Sequence, residues 1–131
     1  MSINENFSKV LQEKYQMHPD NFMEGDNWFR FNLNDHAFQG GEKNGQLYLN
    51  IALDEIDHEQ DFNVVFEAMK AANRAVKSSA KLEEADNFFL VVLKLPASLV
   101  NIDTLPKWLD EMARVASHPE IGAVSAEYRQ W

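Results

Sequence analysis

The chain has 131 residues, of which 45% are hydrophobic and 25% are charged, and it contains no cysteine. This length and composition predict a single globular domain over residues 1–131 that folds without disulfides or thiolate metal sites. Because 21 acidic residues outnumber 12 basic ones, the net charge of −9 would repel the phosphates of nucleic acid or of an anionic bilayer. Neither a signal-peptide pattern nor a membrane-spanning stretch is visible, so a cytoplasmic protein is expected.

A first helix is predicted close to the N-terminus. Ser2 and Glu5 have the S-x-x-E spacing of a capping box, in which each side chain satisfies a free amide of the first helical turn. Apolar residues then recur at helical spacing as far as Tyr15. His18-Pro19 ends the pattern, because the residue before a proline avoids helical backbone angles.

Three strands are predicted to follow. Apolar and polar residues alternate from Asn27 to Leu33, which is typical of a strand with one buried face. A short strand is predicted from His36 to Gln39, and the glycine-rich segment 40–45 after it is predicted to be a hairpin loop. Residues 46–53 predict a clearer strand, with four aliphatic side chains on one face.

The longest helical pattern, Asp61 to Ser79, has two apolar faces. One face is wide enough for a core contact and consists of Phe62, Val65, Phe66, Met69, Ala72 and Val76. The second face is a narrow stripe of small side chains, namely Val64, Ala68, Ala71 and Ala75. This stripe predicts a second buried contact, made either by another helix of the same domain or by the same stripe of a second copy.

Two strands and a helix complete the predicted order. Residues 81–85 are predicted to form a short strand, Asp86-Asn87 a turn, and residues 87–95 a strand that is apolar on both faces and therefore central or covered on both sides. A last helix follows from Asp103 or Thr104 to His118-Pro119. The tail, residues 121–131, is left unassigned. The α-β-β-β-α-β-β-α order indicates an α+β fold with a mainly antiparallel sheet and helices packed on one face.

No arrangement of side chains matches a known catalytic or metal-binding motif. The four histidines are dispersed, and His18 and His118 both precede proline, where a capping role is expected. The acidic segment 54–61 contains six possible ligands for calcium or magnesium but lacks the spacing of an EF-hand loop. We interpret it as a solvated loop that ends in the helix cap Asp61. No catalytic residue, metal ion or cofactor is expected, and a small metal-dependent enzyme that uses this loop is an alternative of a different class.

The chain resembles the class I chaperones of bacterial type III secretion, of the Tir-chaperone type. The similarity covers about residues 3–116 and rests on the small acidic chain, on the element order, on the segment QLYLNIALDEI running into DFNVVFEAMKAANRAV, and on NFFLVVLKLP leading through IDTLPKWLDEMARVA. Proteins of that family are homodimers joined largely through the second helix, and they bind an extended N-terminal segment of an effector protein. The strand that corresponds to HAFQGG is usually longer in the family.

The resemblance implies a non-catalytic cytoplasmic chaperone that keeps a secreted effector competent for secretion and offers it strand edges and apolar pockets. It implies a dimer interface at Val64, Ala68, Ala71 and Ala75. It implies partner-binding grooves near Phe7, Val10, Leu11, Trp28, Phe31, Leu47 and Leu49. For the residues of the first helix, pattern alone is equally compatible with a place in the core. A regulatory or adaptor protein of the same fold, with no role in secretion, is the alternative.

Overall fold

Residues 2–131 are described by a computed structural model, in which one antiparallel sheet is flanked by helices. The helices are α1 (Ile3–Tyr15), α2 (Phe62–Val76), α3 (Leu105–Ala116) and α4 (Pro119–Tyr128), with short 3-10 turns at Pro19–Asn21 and Ala97–Leu99. The strands are β1 (Met23–Glu24), β2 (Trp28–Leu33), β3 (His36–Lys43), β4 (Gln46–Glu55), β5 (Lys81–Ala85) and β6 (Phe88–Pro96). The predicted α+β class is confirmed. Within residues 2–131, none of the helices combines the length and the apolar composition of a membrane span.

The sheet is antiparallel throughout, and its strand order is β1-β2-β3-β4-β6-β5. Strands β1 to β4 form a continuous meander, whereas β6 pairs with β4 only after the chain has passed through α2 and β5. The register gives the sheet two faces. The face that the helices cover carries the buried side chains of each strand, among them Phe29, Phe38, Leu49, Leu82 and Val91. The opposite face, called the open face below, carries exposed or half-buried side chains.

Two-residue turns join β2 to β3, β3 to β4 and β5 to β6. Their residues are Asn34-Asp35, Asn44-Gly45 and Asp86-Asn87, and all six have positive φ angles. This conformation matches the right-handed twist of the strands on either side. The turn predicted at Asp86-Asn87 is confirmed, and the Asn34-Asp35 turn, which is not among the predicted ones, consists of the same two residue types.

Strand β3 corrects the prediction of a short strand followed by a glycine-rich loop. It has eight residues, so Gly40 and Gly41 lie within the strand and only Asn44-Gly45 turns. A Cβ atom on Gly41 would collide with the backbone carbonyl of Asn27, and one on Gly40 would collide with the backbone of β4. Glycine therefore marks a close approach of backbones here and does not end the strand.

α1 and the first strands enclose an aromatic cluster. The predicted capping box is present, because Glu5 N donates to Ser2 Oγ at 3.1 Å and Ser2 N donates to Glu5 Oε1 at 3.4 Å. The helix places Phe7 over β2, where its ring centroid lies 4.4 Å from that of Phe29 and 6.0 Å from that of Phe31. Aromatic pairs at these distances add to the energy of ring burial.

α2 begins at the predicted residue and ends earlier than predicted. Asp61 accepts a hydrogen bond from Asn63 N at 2.9 Å, which confirms its role as the N-cap. The helix ends at Val76 instead of Ser79. The reason is Lys77, whose φ of 55° breaks the helical conformation and directs the chain toward β5.

The C-terminal tail, which was not assigned from the sequence, forms α4 and a β-bridge. α4 begins after His118, whose Nδ1 accepts a backbone amide hydrogen bond at 3.1 Å. Ser125 Oγ donates to Asp54 Oδ2 at 2.8 Å, and Arg129 forms an antiparallel bridge with Ile56. The tail is thus attached to the segment that follows β4.

Candidate partner-binding surfaces

The structure places six of the seven predicted partner-binding residues in the core. They are Phe7, Val10, Leu11, Phe31, Leu47 and Leu49, and none is more than 4% exposed. The covered face of the sheet and the apolar side of α1 bury each other, so these side chains present no surface to a partner. This placement corrects the predicted groove at these six positions. For Phe7, Val10 and Leu11 of α1, it agrees with the alternative of a place in the core.

Trp28 differs from the other six, because it lies on the open face and is 48% exposed. The guanidinium carbon of Arg30 lies 5.9 Å from its ring centroid. The register places Trp28 beside Gly41 and Gly41 beside Tyr48. Since Gly41 has no side chain, the two aromatic rings border a shallow depression of about 710 Å³. A second depression of about 300 Å³ adjoins it and shares Arg30 and Gln39.

The open face carries more positive than negative side chains, although the whole chain has a net charge of −9. Its cations are Arg30, Lys43, Lys81 and Lys94, and its carboxylates are Glu55 and Glu83. Lys94 Nζ lies 5.9 Å from the centroid of the Tyr48 ring and 4.0 Å from Glu83 Oε1. The local charge is therefore opposite in sign to that of the molecule.

Asn50 occupies the middle of the open face, between Gln39 of β3 and Val92 of β6. Its Oδ1 atom is buried and accepts no hydrogen bond within the described residues, 2–131. A buried acceptor that loses water without gaining a donor costs about 1–3 kcal/mol. This position therefore favours a ligand that brings an N–H or O–H group.

Strand β6 adds apolar surface to the same face. It lies inside the sheet between β4 and β5, in agreement with the central position predicted for it. Its second apolar side is not covered, however, because Leu90 and Val92 point to the open face and are half-buried, and Phe88 is exposed. The surface around Asn50 is thus part apolar and part cationic.

α2 leaves most of the predicted dimer stripe uncovered. Val64 is 52% exposed, Ala71 and Ala75 are exposed, and Ala68 is half-buried. Phe66, assigned to the core face from the sequence, is 38% exposed at the margin of that face. Ala68 packs against the core and α4 packs against α2, so an intradomain contact reaches part of the stripe, whereas Val64, Ala71 and Ala75 stay uncovered within residues 2–131.

Both edges of the sheet are partly occupied. On β5, Leu82 N donates to Asn73 Oδ1 at 2.8 Å and Asn73 Nδ2 donates to Leu82 O at 3.0 Å. The carboxamide of α2 thus takes the place of a neighbouring strand, which protects the edge. At the other edge, β1 has two residues and pairs with Phe29 and Arg30 of β2. An added partner strand would find little continuous edge to pair with.

The acidic segment before α2 uses its carboxylates within the chain. Asp57 Oδ1 accepts from Glu59 N at 3.0 Å, Asp54 accepts from Ser125, and Asp61 caps the helix. In the part of the chain that the structure describes, residues 2–131, no group of three or more His, Asp and Glu side chains lies close enough together to hold a metal ion. The cap at Asp61 agrees with the interpretation as a capping loop, whereas Asp54 and Glu55 belong to β4 and Ile56 to a β-bridge, which corrects the predicted loop at these positions.

The histidines lie at separate places in the fold. His18 and His118 cap the first 3-10 turn and α4 through their Nδ1 atoms, which confirms the role expected for both. His36 Nε2 lies 3.2 Å from Ser117 Oγ. Within residues 2–131 no third side chain is hydrogen-bonded to the His36 ring, as the group that orients the base in a nucleophilic site would be.

A hydrogen bond links the chain that follows α2 to Glu111 of α3, which also forms an ion pair with Arg114 of the same helix. Ser78 Oγ donates to Glu111 Oε2 at 3.1 Å, and Arg114 Nη2 donates to the same atom at 3.2 Å. The hydrogen bond from Arg114 is the main cause that lowers the pKa of Glu111, and the same bond raises the pKa of Arg114. On the neighbouring α1, burial raises the pKa of Tyr15, and the charge of Asp110 adds to this shift. These groups lie among the helices and not on the open face.

Comparisons with known proteins identify the fold. No protein-family model matches the chain, and no curated protein matches it. The structure of the HopA1-SchA chaperone-effector complex contains a chain that aligns with a TM-score of 0.58 and 12% identity, over 85% of this chain and 90% of its own. YbjN of E. coli, which was proposed to be a transcription regulator, aligns with a TM-score of 0.65 and 12% identity over 97% of this chain and 95% of its own.

A third similar structure is that of an uncharacterized protein from Methanothermobacter thermautotrophicus. It aligns with a TM-score of 0.59 and 14% identity, over 96% of this chain and 99% of its own. At such identities the similarity shows a common fold. The chain therefore has a chaperone-like fold, which it shares with a chain of a chaperone-effector complex and with proteins of other descriptions.

The open face was not predicted as a binding surface from the sequence, although the alternation of polar and buried residues along its strands was visible. Arg30, Tyr48 and Lys94 each alternate with buried residues of their strand. Their common face follows only from the register across β3, β4 and β6, and the β4–β6 pairing joins segments on either side of α2. No sequence pattern pointed to Asn73 as the residue that occupies the edge of β5.

Proposed function

We propose that this protein is a non-catalytic cytoplasmic chaperone that binds an extended N-terminal segment of a secreted effector protein and keeps it competent for secretion. The observation that carries the proposal is the apolar surface left uncovered in two places, the stripe on α2 and the open face of the sheet. Contiguous exposed apolar surface is typical of protein-binding sites. The fold shared with a chain of the HopA1-SchA chaperone-effector complex supports an effector segment as the partner.

The proposal includes a homodimer joined through α2. Val64, Ala68, Ala71 and Ala75 would pack against the same residues of a second copy. Small side chains allow two helices to approach closely, and a two-fold axis brings the same patch of each copy together. Formation of the dimer would bury the exposed part of the stripe and leave the open face of each copy free.

An extended segment suits this architecture energetically. A segment that is disordered before binding loses conformational entropy when it is ordered, which lowers its affinity for a given contact area. A long contact path over two copies of the domain offsets this cost. No part of the chaperone has to perform chemistry in such a mechanism.

A pull-down from the native lysate followed by mass spectrometry tests the proposal. We expect one dominant partner, and we expect a recombinant N-terminal fragment of that partner to bind while it remains sensitive to protease outside the contact region. The proposal is refuted if no partner is recovered, or if the recovered protein binds through a folded domain.

Calorimetric titration with Ca²⁺, Mg²⁺ and Mn²⁺ tests whether the protein is non-catalytic. A saturable heat that is lost on substitution of the 54–61 carboxylates would favour the metal-dependent enzyme.

A second candidate is a regulatory or adaptor protein that has no role in secretion. The more extensive structural match to YbjN favours it. Deletion of the gene separates the two candidates. A chaperone deletion reduces secretion of the recovered partner, whereas an adaptor deletion leaves secretion unchanged and alters the activity of an intracellular partner.

A further inference from the structure

The open face indicates the chemistry of the bound segment. We propose that an acidic segment of the partner protein lies extended across the open face, with its carboxylates beside Arg30 and Lys94 and a backbone N–H hydrogen-bonded to the Asn50 carboxamide, whose oxygen turns outward from its buried position. This inference rests on the proposed function, because it assumes that a segment of another protein is bound. It adds where that segment lies and which composition it has.

Charge is the first argument for an acidic occupant. Four cations and two carboxylates lie on this face of a chain whose net charge is −9. A segment that covers the face removes water from Arg30 and Lys94, and the loss of hydration is costly unless the segment supplies opposite charge. Charge-assisted hydrogen bonds from these two side chains to carboxylates offset that loss.

Asn50 gives the second argument, which concerns the hydrogen-bond donors that the occupant must bring. Its buried and unpaired Oδ1 requires a donor. A peptide backbone offers one N–H per residue at regular spacing, whereas single-stranded DNA offers N–H groups only on its bases and none along its backbone. The excess of acidic residues outside the open face also repels a continuous polyphosphate more strongly than a peptide with a few carboxylates.

The shape of the face gives the third argument. The Trp28 and Tyr48 rings stand on either side of Gly41, and the depression between them is open along the sheet. From β2 to β5 there are four intervals between strands, each about 4.8 Å wide, so an extended chain at about 3.3 Å per residue crosses them with about six residues. Alternate side chains of such a segment face the sheet, which allows apolar contact with Leu90 and Val92.

The sheet edges favour this face over strand addition. The backbone of Leu82 on β5 is already paired with Asn73, and β1 covers part of β2. Recognition on the face therefore depends on side chains of the open surface, and substitution of those side chains tests it directly.

The experiment selects ligands from a phage-displayed library of random peptides about twelve residues long, with the full-length protein immobilised. The strongest peptide is then made synthetically with a fluorescent label, and its anisotropy is titrated against wild type, Arg30→Gln and Lys94→Gln. Lys14→Gln, an exposed residue of α1 that lies away from the open face, is the matched control. Asn50→Leu is the fourth variant, and its thermal unfolding is measured as well.

We expect the selected peptides to contain more Asp and Glu than Lys and Arg. Loss of one charge-assisted contact should weaken binding about tenfold for Arg30→Gln and Lys94→Gln, and less than about twofold for Lys14→Gln. Asn50→Leu should weaken binding and leave the unfolding temperature unchanged or raised, because it removes an unsatisfied polar group. A merely structural Asn50 would show the opposite effect on stability.

Any of the following results would overturn the inference: no peptide is selected, selected peptides show no acidic excess, Arg30→Gln binds as Lys14→Gln does, or an oligothymidylate binds the open face more tightly than the peptides. A loss of dimer in Arg30→Gln by sedimentation would also overturn it, since the face would then be covered by a second copy. If the native partner's N-terminal fragment binds Arg30→Gln as tightly as wild type, this inference fails and the proposed chaperone function stands.

Discussion

Replacement of Asn73 by alanine tests how the edge of the sheet at β5 is held. The substitution removes both hydrogen bonds between the carboxamide and the backbone of Leu82, at 2.8 and 3.0 Å. The N–H and C=O groups of Leu82 then face α2 without a partner. Since Asn73 is half-buried and Leu82 is buried, water replaces these bonds only in part.

The size of the effect follows from two opposing contributions. A hydrogen bond lost from a group that remains partly buried costs about 1–3 kcal/mol, so two such bonds cost about 3 kcal/mol. Alanine is the better helix former, by about 0.6 kcal/mol. We therefore expect the free energy of unfolding of Asn73→Ala to fall by about 2 kcal/mol. For a chain of 131 residues this corresponds to a Tm decrease of roughly 7 °C.

Urea unfolding followed by circular dichroism measures the change, with Asn63→Ala as the control. Asn63 lies exposed in the first turn of α2 and receives the same gain in helix propensity, so its stability should stay within about 0.5 kcal/mol of wild type. If Asn73→Ala is as stable as Asn63→Ala, the two bonds do not hold the edge. Sedimentation adds a second readout, because a freed strand edge promotes association that increases with concentration.

Three further predictions concern the strand, the ion pair and the dimer. Gly41→Ala should destabilise the fold by about 2 kcal/mol or more in urea unfolding, because its Cβ collides with backbone, whereas Gly122→Ala, where the added Cβ meets nothing within 4 Å, should be neutral or stabilising by up to about 1 kcal/mol. Glu111→Gln should lose less stability than wild type as the pH falls from about 7 to about 3. Arg114 lowers the pKa of Glu111, so the ionised pair stabilises the fold of the wild type at neutral pH. This contribution, less than about 1 kcal/mol, disappears as the pH falls through the lowered pKa. Equal losses in both proteins would contradict this. Ala71→Glu should convert the proposed dimer to a monomer by light scattering, and an unchanged dimer would exclude the stripe from the interface.

Local features of the fold were predictable because they depend on neighbouring residues. The caps Ser2, Asp61 and His118 each act on an amide two or three residues away, and the sequence marks them directly. The same dependence on neighbouring residues explains why β3 was predicted to end before Gly40 and Gly41. A glycine pair has the same local signal whether it makes a turn or admits a neighbouring backbone, and only the neighbour decides between them.

The functional surfaces were less predictable because they depend on distant pairings. The sequence pattern placed Phe7 on the apolar side of a helix and Leu49 on the apolar side of a strand. It could not decide between a core and a binding groove, because both consist of the same residue types. In the fold, Phe7 packs on Phe29 and Phe31 of β2, and Phe7 and Leu49 are both fully buried, so both belong to the core. Arg30 and Lys94 look like ordinary solvated charges until the register across β3, β4 and β6 places them on one face.

The three two-residue turns also bear on how the chain folds. Each joins two strands with the shortest possible connection, so β2, β3 and β4 can pair within microseconds, and β5 with β6 likewise. The β4–β6 pairing must instead close a loop that contains α2, which is slower because more chain has to be ordered first. We expect the β2-β3-β4 meander and the β5-β6 hairpin to form early. The pairing of β4 with β6 should then limit the folding rate. High φ-values at Leu49 and Val91, with slowed folding when either is shortened, would support this order, and low values at both would exclude it.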